Sequence, residues 1–435
     1  MHRWVVLASC AWAAAARPAA GMRRLGNASE VAARCAAPHL RPTTATHCER
    51  IARSSNGVTV DALARGGWLC RALLVLQSTE ASATKKGHQE GDRHEAIDAA
   101  CGFSPDWRPT PRRDGLVVVA VHHNGLGNQL FQYAFGRLAA WASGAAFVAQ
   151  PIVATEGPMN VKLPPHSMES WGAFGEIFDA RTFGDDRGAS RTCAPLTPTK
   201  KEYAANGTML LAERPADTRR VRLAAQLRAL LDGTRLPRGT LRCVKTIGYW
   251  QRYAFYADVS AMLREWMVFR PLSLTEDPAE RDVVVHVRLC KTPYHFYQYL
   301  DYPTYFAPIL KGMADVRSIK VISACDPKSN GVVKDLVDKA NATIATPFVR
   351  GAEGRKGRSV AADFAYLARA KRLIVTESTY SWWAAFLGAA DVVHAPGSGV
   401  VPVPAREPRY VFHDAKARTY WGAYNDTARA LVYTA

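Results

Sequence analysis

The chain has 435 residues, 48% of them hydrophobic, which is enough for two domains with ordinary cores. Its 56 lysines and arginines outnumber 38 aspartates and glutamates, and the formal net charge of +18 suits an anionic partner: nucleic acid, a membrane surface or a phosphorylated substrate. Beyond the N-terminus no stretch is long and apolar enough to span a bilayer, which excludes a protein with several spans.

Residues 1–21 predict a signal peptide or a short signal anchor. An early positive charge is followed by an apolar run over 4–16 and then by small residues. If the segment is not cleaved, it attaches the chain to a membrane. Entry into the secretory pathway is also favoured by nine cysteines. Glycosylation tripeptides begin at Asn27, Asn206, Asn341 and Asn425.

Residues 22–110 predict a stem that is partly helical or disordered, because polar and small residues dominate there. Cys35, Cys48, Cys70 and Cys101 lie in or beside this stem and suffice for two local disulfides. Their pairing is not determined by the sequence.

From residue 116 onward, strand-like apolar runs alternate with amphipathic helical patterns. Continuous apolar strands separated by helices predict an α/β fold whose parallel sheets are covered on both faces. A segment rich in proline and charge, 269–280, suits a connection between two such units. We therefore predict domains over 111–270 and 271–435.

The first strand is followed by "HHNGLGNQLFQYAFG", a glycine turn that leads into a helix. Gly125 and Gly127 permit backbone geometry that a side chain would block, and the free N–H groups of the helix start favour an anion or a polar sugar. A dinucleotide fingerprint needs a third glycine where Leu130 stands, and a Walker loop needs Gly-Lys-Ser/Thr, so a nicotinamide site is disfavoured and a Walker site excluded. Asn128 and Gln129 both donate and accept hydrogen bonds, although Asn128 as a simple helix cap is the alternative.

A second stretch, "VVVHVRLCK", places His286 and Arg288 on one face at the carboxyl end of a strand. Open parallel sheets bind ligands at that end, and the planar guanidinium suits a diphosphate. The alternative is a satisfied core histidine beside a salt-bridged arginine.

A third stretch, "RLIVTESTYSWWAAFLG", predicts a buried strand, a turn and a helix. Ser378, Thr379 and Ser381 are expected in the turn, where hydroxyls and free N–H groups form a second anion site. Trp382 and Trp383 suit either the core or the wall of a cleft, and core packing is expected for at least one of them.

These stretches together resemble the alpha-1,2-fucosyltransferases of glycosyltransferase family 11. "GLGNQLFQYAFGRLAA" resembles their "GGLGNQ-FQYA-G-AL", "VVVHVRLCK" their "V-VHVRRGDY", "KTIGYWQRYAFY" their "-GYFQS--YF", and "ADFAYLARAKRLIVTESTYSWWAAFLG" their "-DF-LM--C-H-I--NSTFSWW-A-L". The resemblance implies a GT-B architecture of two facing Rossmann-like domains in the Golgi lumen. It further implies GDP-fucose as donor, a terminal galactose of a glycan as acceptor, inversion at the fucose carbon, no cofactor and no required metal.

The resemblance also implies site residues. Catalytic roles fall to Arg288, which would hold the diphosphate, and to His286. Asp363 would bind guanine or its surroundings, and Ser378 and Thr379 the β-phosphate. The remaining donor-site candidates are Ser381 and Lys291. The predicted cleft-lining residues are Gly125, Gly127, Asn128, Gln129 and Trp382.

The chain departs from the family pattern in two places. The family's "RRGDY" is "RLCKT" here, with Lys291 as a replacement point charge, and Glu377 stands where the family has a small polar residue or Asn. A catalytically inactive glycan- or GDP-binding relative and a member with another donor sugar are therefore alternatives. A nucleic-acid-binding protein is a further alternative that rests on charge alone and conflicts with the signal. Candidates for the general base are His286, His123 and Asp301.

Overall fold

The computed structural model describes residues 116–122, 124–151, 165–179, 208–212, 243–251, 255–256, 259–288, 300–323, 331–347, 359–396 and 407–413. The predicted signal, the predicted stem and the cysteines of that region lie outside these residues. The chain divides into two compact units. One comprises Gly115–Arg137, Ala146–Pro215 and Thr240–Ala435 and holds both sheets, whereas only Leu138–Ala145 of the other unit is described. The domain boundaries at 110/111 and 270/271 stay predictions.

The first half of the described chain forms a four-stranded parallel sheet in the order β2-β1-β4-β3. Its strands are β1 (Val117–His122), β2 (Ala146–Pro151), β3 (Thr208–Ala212) and β4 (Cys243–Ile247). The helices of this part are α1 (Leu126–Ser143), α2 (Pro165–Ile177) and α3 (Ser260–Trp266). Every residue of β1 is buried, as expected of a central strand whose apolar run is continuous.

The second half forms a six-stranded parallel sheet in the order β10-β9-β8-β5-β6-β7. Its strands are β5 (Asp282–His286), β6 (Ser318–Ile322), β7 (Thr343–Ile344), β8 (Arg372–Ile374), β9 (Val392–Pro396) and β10 (Tyr410–His413). Its helices are α4 (Ala307–Gly312), which continues a π-helical turn over Tyr302–Phe306, α5 (Gly331–Ala340), α6 (Val360–Arg369) and α7 (Thr379–Leu387). The predicted α/β fold class with parallel sheets and alternating helices is confirmed.

The strand order of the second sheet is that of doubly wound nucleotide-binding folds. The chain moves outward from β5 to β6 and β7, then returns to the other side of β5 and continues through β8, β9 and β10. The order therefore reverses between β5 and β8, and the connections on either side leave a crevice at the carboxyl ends of these two strands. Ligands of open parallel sheets bind at such a point.

The core on one face of the second sheet is aliphatic. Val283, Val285 and Val287 pack there with Tyr305 and Phe306 of the π-helical turn. Because side chains alternate along a strand, His286 and Arg288 point to the opposite face, as predicted. No described helix has both the length and the hydropathy needed to cross a membrane.

Candidate functional site

The carboxyl ends of β5 and β8 bring Arg288 and Ser378 together. Val285 of β5 pairs with Ile374 of β8, so both strands end side by side. From this position the Arg288 guanidinium donates a hydrogen bond of 3.3 Å to Ser378 Oγ. Two predicted donor-site residues, 90 positions apart in the chain, therefore meet at the point where the strand order reverses.

Ser378 is the N-cap residue of α7 and has extended backbone angles, φ −140° and ψ 123°. The helix begins at Thr379, so Thr379 and Ser381 lie inside it and the predicted turn is shorter than expected. The Ser378 hydroxyl makes no capping bond to the helix, since it accepts from Arg288 instead. The first N–H groups of a helix lack intrahelical partners, so the start of α7 offers N–H groups to an anion.

His286 lies at the end of β5 with 7% of its surface exposed. Its ring centroid is 5.7 Å from that of Tyr380, which is the second residue of α7. The Tyr380 hydroxyl in turn donates to the carbonyl oxygen of Val360 at 2.6 Å, which ties α7 to the start of α6. His286 thus packs behind Arg288, between the strand and the two helices.

Asp363 lies in the first turn of α6 and is 9% exposed. A carboxylate in this position is stabilised by the partial positive charge of the helix start. The side chain of Ser359 caps the same helix by accepting from the N–H of Ala362 at 3.2 Å. Asp363 therefore lies at a helix start, and its contact with a guanine stays a prediction.

Glu377 directly precedes Ser378 and is only 4% exposed. Burial and, after it, the charge of Glu377 raise the pKa of Tyr305 well above its ordinary value. The Tyr305 hydroxyl donates to the carbonyl oxygen of Val375 at 2.8 Å. Tyr305 itself packs with the valines on the face of the sheet opposite to Arg288.

The glycine turn after β1 has unequal glycines. A Cβ on Gly127 would lie 2.4 Å from both Thr379 C and Tyr380 N, so only glycine lets the starts of α1 and α7 approach so closely. Among the described residues no atom lies within 4 Å of a Cβ placed on Gly125. The expectation that a side chain would be blocked holds for Gly127, whereas the described residues leave room for one at Gly125.

Asn128 and Gln129, in the first turn of α1, have different hydrogen-bond partners. Gln129 is 1% exposed and donates through Nε2 to the carbonyl oxygen of Asn124 at 2.8 Å. This bond links the start of α1 to the turn that precedes it. Asn128 Oδ1 accepts from Thr379 Oγ1 at 3.2 Å and from Gln251 Nε2 at 2.7 Å. Asn128 is the third residue of α1, so the alternative that it caps this helix is wrong, and its side chain instead joins the first turn of α1 to the start of α7.

Two residues that follow β4 were not predicted from the sequence as site residues. Tyr249 accepts a 2.8 Å hydrogen bond from Asn124 Nδ2, and Gln251 donates to Asn128. The signal was present, because both lie in the stretch "KTIGYWQRYAFY", but a motif alone does not say which of its side chains turn toward β1. Asn124 and Trp250 adopt left-handed backbone angles, with φ of 65° and 54°, at the carboxyl ends of β1 and β4. Left-handed conformations are uncommon outside glycine and concentrate at functional sites.

Trp382 and Trp383 are both core residues by burial, at 6% and 0% exposed. The Trp382 ring lies 4.8 Å from Phe131 and stacks on Phe386 at 4.8 Å. Trp383 contacts Phe131 at 5.0 Å. The aromatic cluster fixes α7 against α1, and a cleft-lining role for Trp382 stays a prediction.

Several predicted residues lie outside the described part of the chain. Lys291, the rest of "LCKT" and His123 are among them. Asp301 is described, and it caps the π-helical turn by accepting from the N–H of Thr304 at 2.9 Å. Among the described residues no group of three or more His, Cys, Asp or Glu side chains is placed to hold a metal ion.

No protein-family profile matches the chain, and no curated protein sequence matches it. The fucosyltransferase NodZ from Bradyrhizobium is similar in structure at 13% identity and TM-score 0.32, over 65% of this chain and 96% of that chain. NodZ alpha-1,6-fucosyltransferase co-crystallised with GDP matches at 14% identity and TM-score 0.36, over 65% and 94%. A mutant of FUT1 from Arabidopsis thaliana in complex with GDP matches at 12% identity and TM-score 0.39, over 75% and 78%. None of these scores reaches 0.5, so the likeness carries no argument about activity.

Proposed function

We propose that this chain is a glycosyltransferase that moves L-fucose from GDP-fucose, with inversion, to a hydroxyl of a terminal galactose on a glycan. The proposed product has an alpha-1,2 linkage. The observation that carries the proposal is the meeting of Arg288 with Ser378 and the start of α7 at the crevice between β5 and β8. A guanidinium, a hydroxyl and helix N–H groups at that place match the oxygens of a diphosphate.

In the proposed reaction the acceptor oxygen bonds to C1 of fucose while the bond from C1 to the β-phosphate oxygen breaks. GDP leaves with the bonding electron pair, and the acceptor proton passes to a base or to solvent. Negative charge then grows on the β-phosphate, where Arg288 and the N–H groups of α7 stabilise it. This chemistry uses the chain's own cation and needs no metal. Asp363 is the proposed guanine contact.

The proposed location is the Golgi lumen, with the N-terminal segment as cleaved signal or membrane anchor. Cys243 in β4 is disulfide-bonded, which supports an oxidising compartment. The proposed donor-binding part is 271–435 and the proposed acceptor-binding part is 111–270. The left-handed backbone of the half-buried residue Asn124, next to Gly125, supports a sugar site at the carboxyl end of β1.

The proposal is tested by incubating the full chain with GDP-fucose and a panel of galactosides and measuring GDP release. We expect release that depends on the acceptor. Release with a different GDP-sugar only would mean that "RLCKT" has changed the donor. GDP binding without turnover, from a folded chain, would favour the inactive binding relative, and no binding of any GDP-sugar would refute the proposal.

Arg288→Ala is the matching variant. It removes the guanidinium and we expect GDP to bind about tenfold to a hundredfold more weakly, as for the loss of a charge-assisted hydrogen bond. Arg372→Ala is the control, because Arg372 lies at the opposite end of β8 and donates to the carbonyl oxygen of Ala314 at 2.8 Å. Unchanged GDP affinity in Arg288→Ala, with the melting temperature retained, would remove Arg288 from the site.

A further inference from the structure

Three polar side chains form a chain of hydrogen bonds from the segment after β4 to the start of α7. Gln251 Nε2 donates to Asn128 Oδ1 at 2.7 Å, and Thr379 Oγ1 donates to the same oxygen at 3.2 Å. Asn128 and Gln251 are half-buried, and Thr379 is 6% exposed. The approach of Gly127 to the backbone of Thr379 keeps these side chains within reach of one another.

The number of protons in this network limits what Thr379 can bind. A hydroxyl carries a single proton, and here Thr379 donates it to Asn128. Phosphate oxygens of GDP accept hydrogen bonds and donate none at neutral pH. In this arrangement Thr379 can donate to a diphosphate only by giving up its bond to Asn128, although it stands in the first turn of α7 where a diphosphate is proposed to bind.

A joint rotation of two amides releases that proton. In the second state the amides of both Asn128 and Gln251 are rotated by half a turn. Asn128 then presents its NH₂ group in place of Oδ1, and one N–H donates to Thr379 Oγ1 while the other donates to Gln251 Oε1. Amide oxygen and nitrogen are nearly equal in size, so the backbone need not move. The Thr379 hydroxyl then accepts from Asn128 and has its own proton available for a phosphate oxygen.

We propose that Asn128 and Gln251 are positioning residues that form a two-state amide relay, and that this relay decides whether the Thr379 hydroxyl donates to the protein or to the diphosphate of the donor. The inference rests on the proposed function. It assigns the glycine turn, on the acceptor-binding part, a role in donor binding. An occupied donor site favours the state in which Asn128 donates, because in that state Thr379 donates to a phosphate oxygen and still keeps its hydrogen bond to Asn128.

Gln251→Glu tests the relay with almost no change in shape. A carboxylate only accepts, so Asn128 must present its NH₂ group to Glu, and the relay is held in the donor-ready state. We expect GDP to bind about fivefold more tightly, the worth of one neutral hydrogen bond. Simple electrostatics predicts weaker binding instead, because the substitution adds a negative charge near an anion.

Gln251→Lys tests the opposite state. An ammonium only donates, so it holds Asn128 Oδ1 in its present orientation and keeps the Thr379 hydroxyl donating to that oxygen. We expect GDP to bind about fivefold more weakly, by the same hydrogen-bond estimate. Electrostatics again predicts the reverse, since the added positive charge attracts GDP. The two explanations therefore give opposite orders of affinity for the Glu and Lys variants.

The measurement is the Kd of GDP by isothermal titration calorimetry on the full chain at pH 7.5, repeated in a Thr379→Val background. Without the hydroxyl the relay has nothing to release, so affinities in that background should follow charge alone, Lys tighter than Glu. If the affinities follow charge in the Thr379 background too, the relay is wrong while the proposed function stands. If the wild-type chain binds no GDP, both the proposed function and the proposed relay are refuted.

Discussion

Acidification is expected to destabilise the second sheet through a pair of histidines on its edge. His394 of β9 and His413 of β10 lie with Nδ1 and Nε2 2.7 Å apart and their rings 5.0 Å apart. Burial and the neighbouring His413 lower the pKa of His394 from 6.5 to about 4, and burial lowers the pKa of His413. The other titratable ring at the pair is Tyr305, 6.2 Å from His413.

The sign and size of the effect follow from linkage. The folded chain holds His394 neutral, whereas the unfolded chain protonates it at about pH 6.5. The contribution of His394 to the free energy of unfolding is therefore complete above that pH and is lost as the pH falls toward 4. The full difference corresponds to roughly 3 kcal/mol at about 1.4 kcal/mol per pH unit. Because the ring is partly exposed to screening solvent, we expect about 1–2 kcal/mol in total and about 1 kcal/mol by pH 5.

The assay is urea unfolding of the wild-type chain and of His394→Gln at pH 7.5 and pH 5, with the free energy of unfolding extrapolated to water. The wild-type chain should lose about 1 kcal/mol more than His394→Gln between the two pH values. Val411→Thr is the control, because Val411 is 40% exposed on β10 and does not titrate. An equal loss in wild-type and His394→Gln would refute the reasoning.

Two further variants test packing. Gly127→Ala should lower the free energy of unfolding by about 2–3 kcal/mol, since its Cβ would lie 2.4 Å from the backbone of Thr379, whereas Gly125→Ala should be nearly neutral. The free energy of unfolding of both variants is measured in urea. Equal stability of the two variants would show that the starts of α1 and α7 separate at little cost in free energy. Arg264→Met should cost about 1–3 kcal/mol because its guanidinium donates to the carbonyl oxygen of Phe386 at 2.6 Å in a partly buried position. Lys334→Met is the control, because it removes an exposed ion pair and should change the melting temperature little. A comparable drop of the melting temperature in both variants would contradict the stabilising role of the Arg264 hydrogen bond.

Local pattern was enough to predict the most regular strands and helices of this fold, although β2, β3 and β4 of the first sheet were not predicted. The valine runs of β1 and β5 are continuous and apolar, and both strands are buried along their whole length. The shared face of His286 and Arg288 followed from side-chain alternation alone. The start of α7 was placed too late, because Ser378 serves as the N-cap and draws Thr379 and Ser381 into the helix.

Contacts between distant segments were beyond the sequence. Strand order decides that β5 lies beside β8, and no local pattern encodes which strands become neighbours. The partnership of Gln251 with Asn128 spans 123 positions, and that of His394 with His413 depends on the pairing of β9 with β10. Each requires a tertiary arrangement that composition and periodicity leave open.

The bond between Asn128 and Thr379 spans 251 positions of the chain, which has a consequence for synthesis. A ribosome adds about 5–20 residues per second, so roughly 13–50 s pass between the emergence of the glycine turn and that of its partner helix. During that interval Phe131 lacks Trp382 and Trp383, the rings that cover it in the finished protein. The nascent first sheet therefore exposes an apolar aromatic surface, and a chaperone that binds such surfaces would act during this interval.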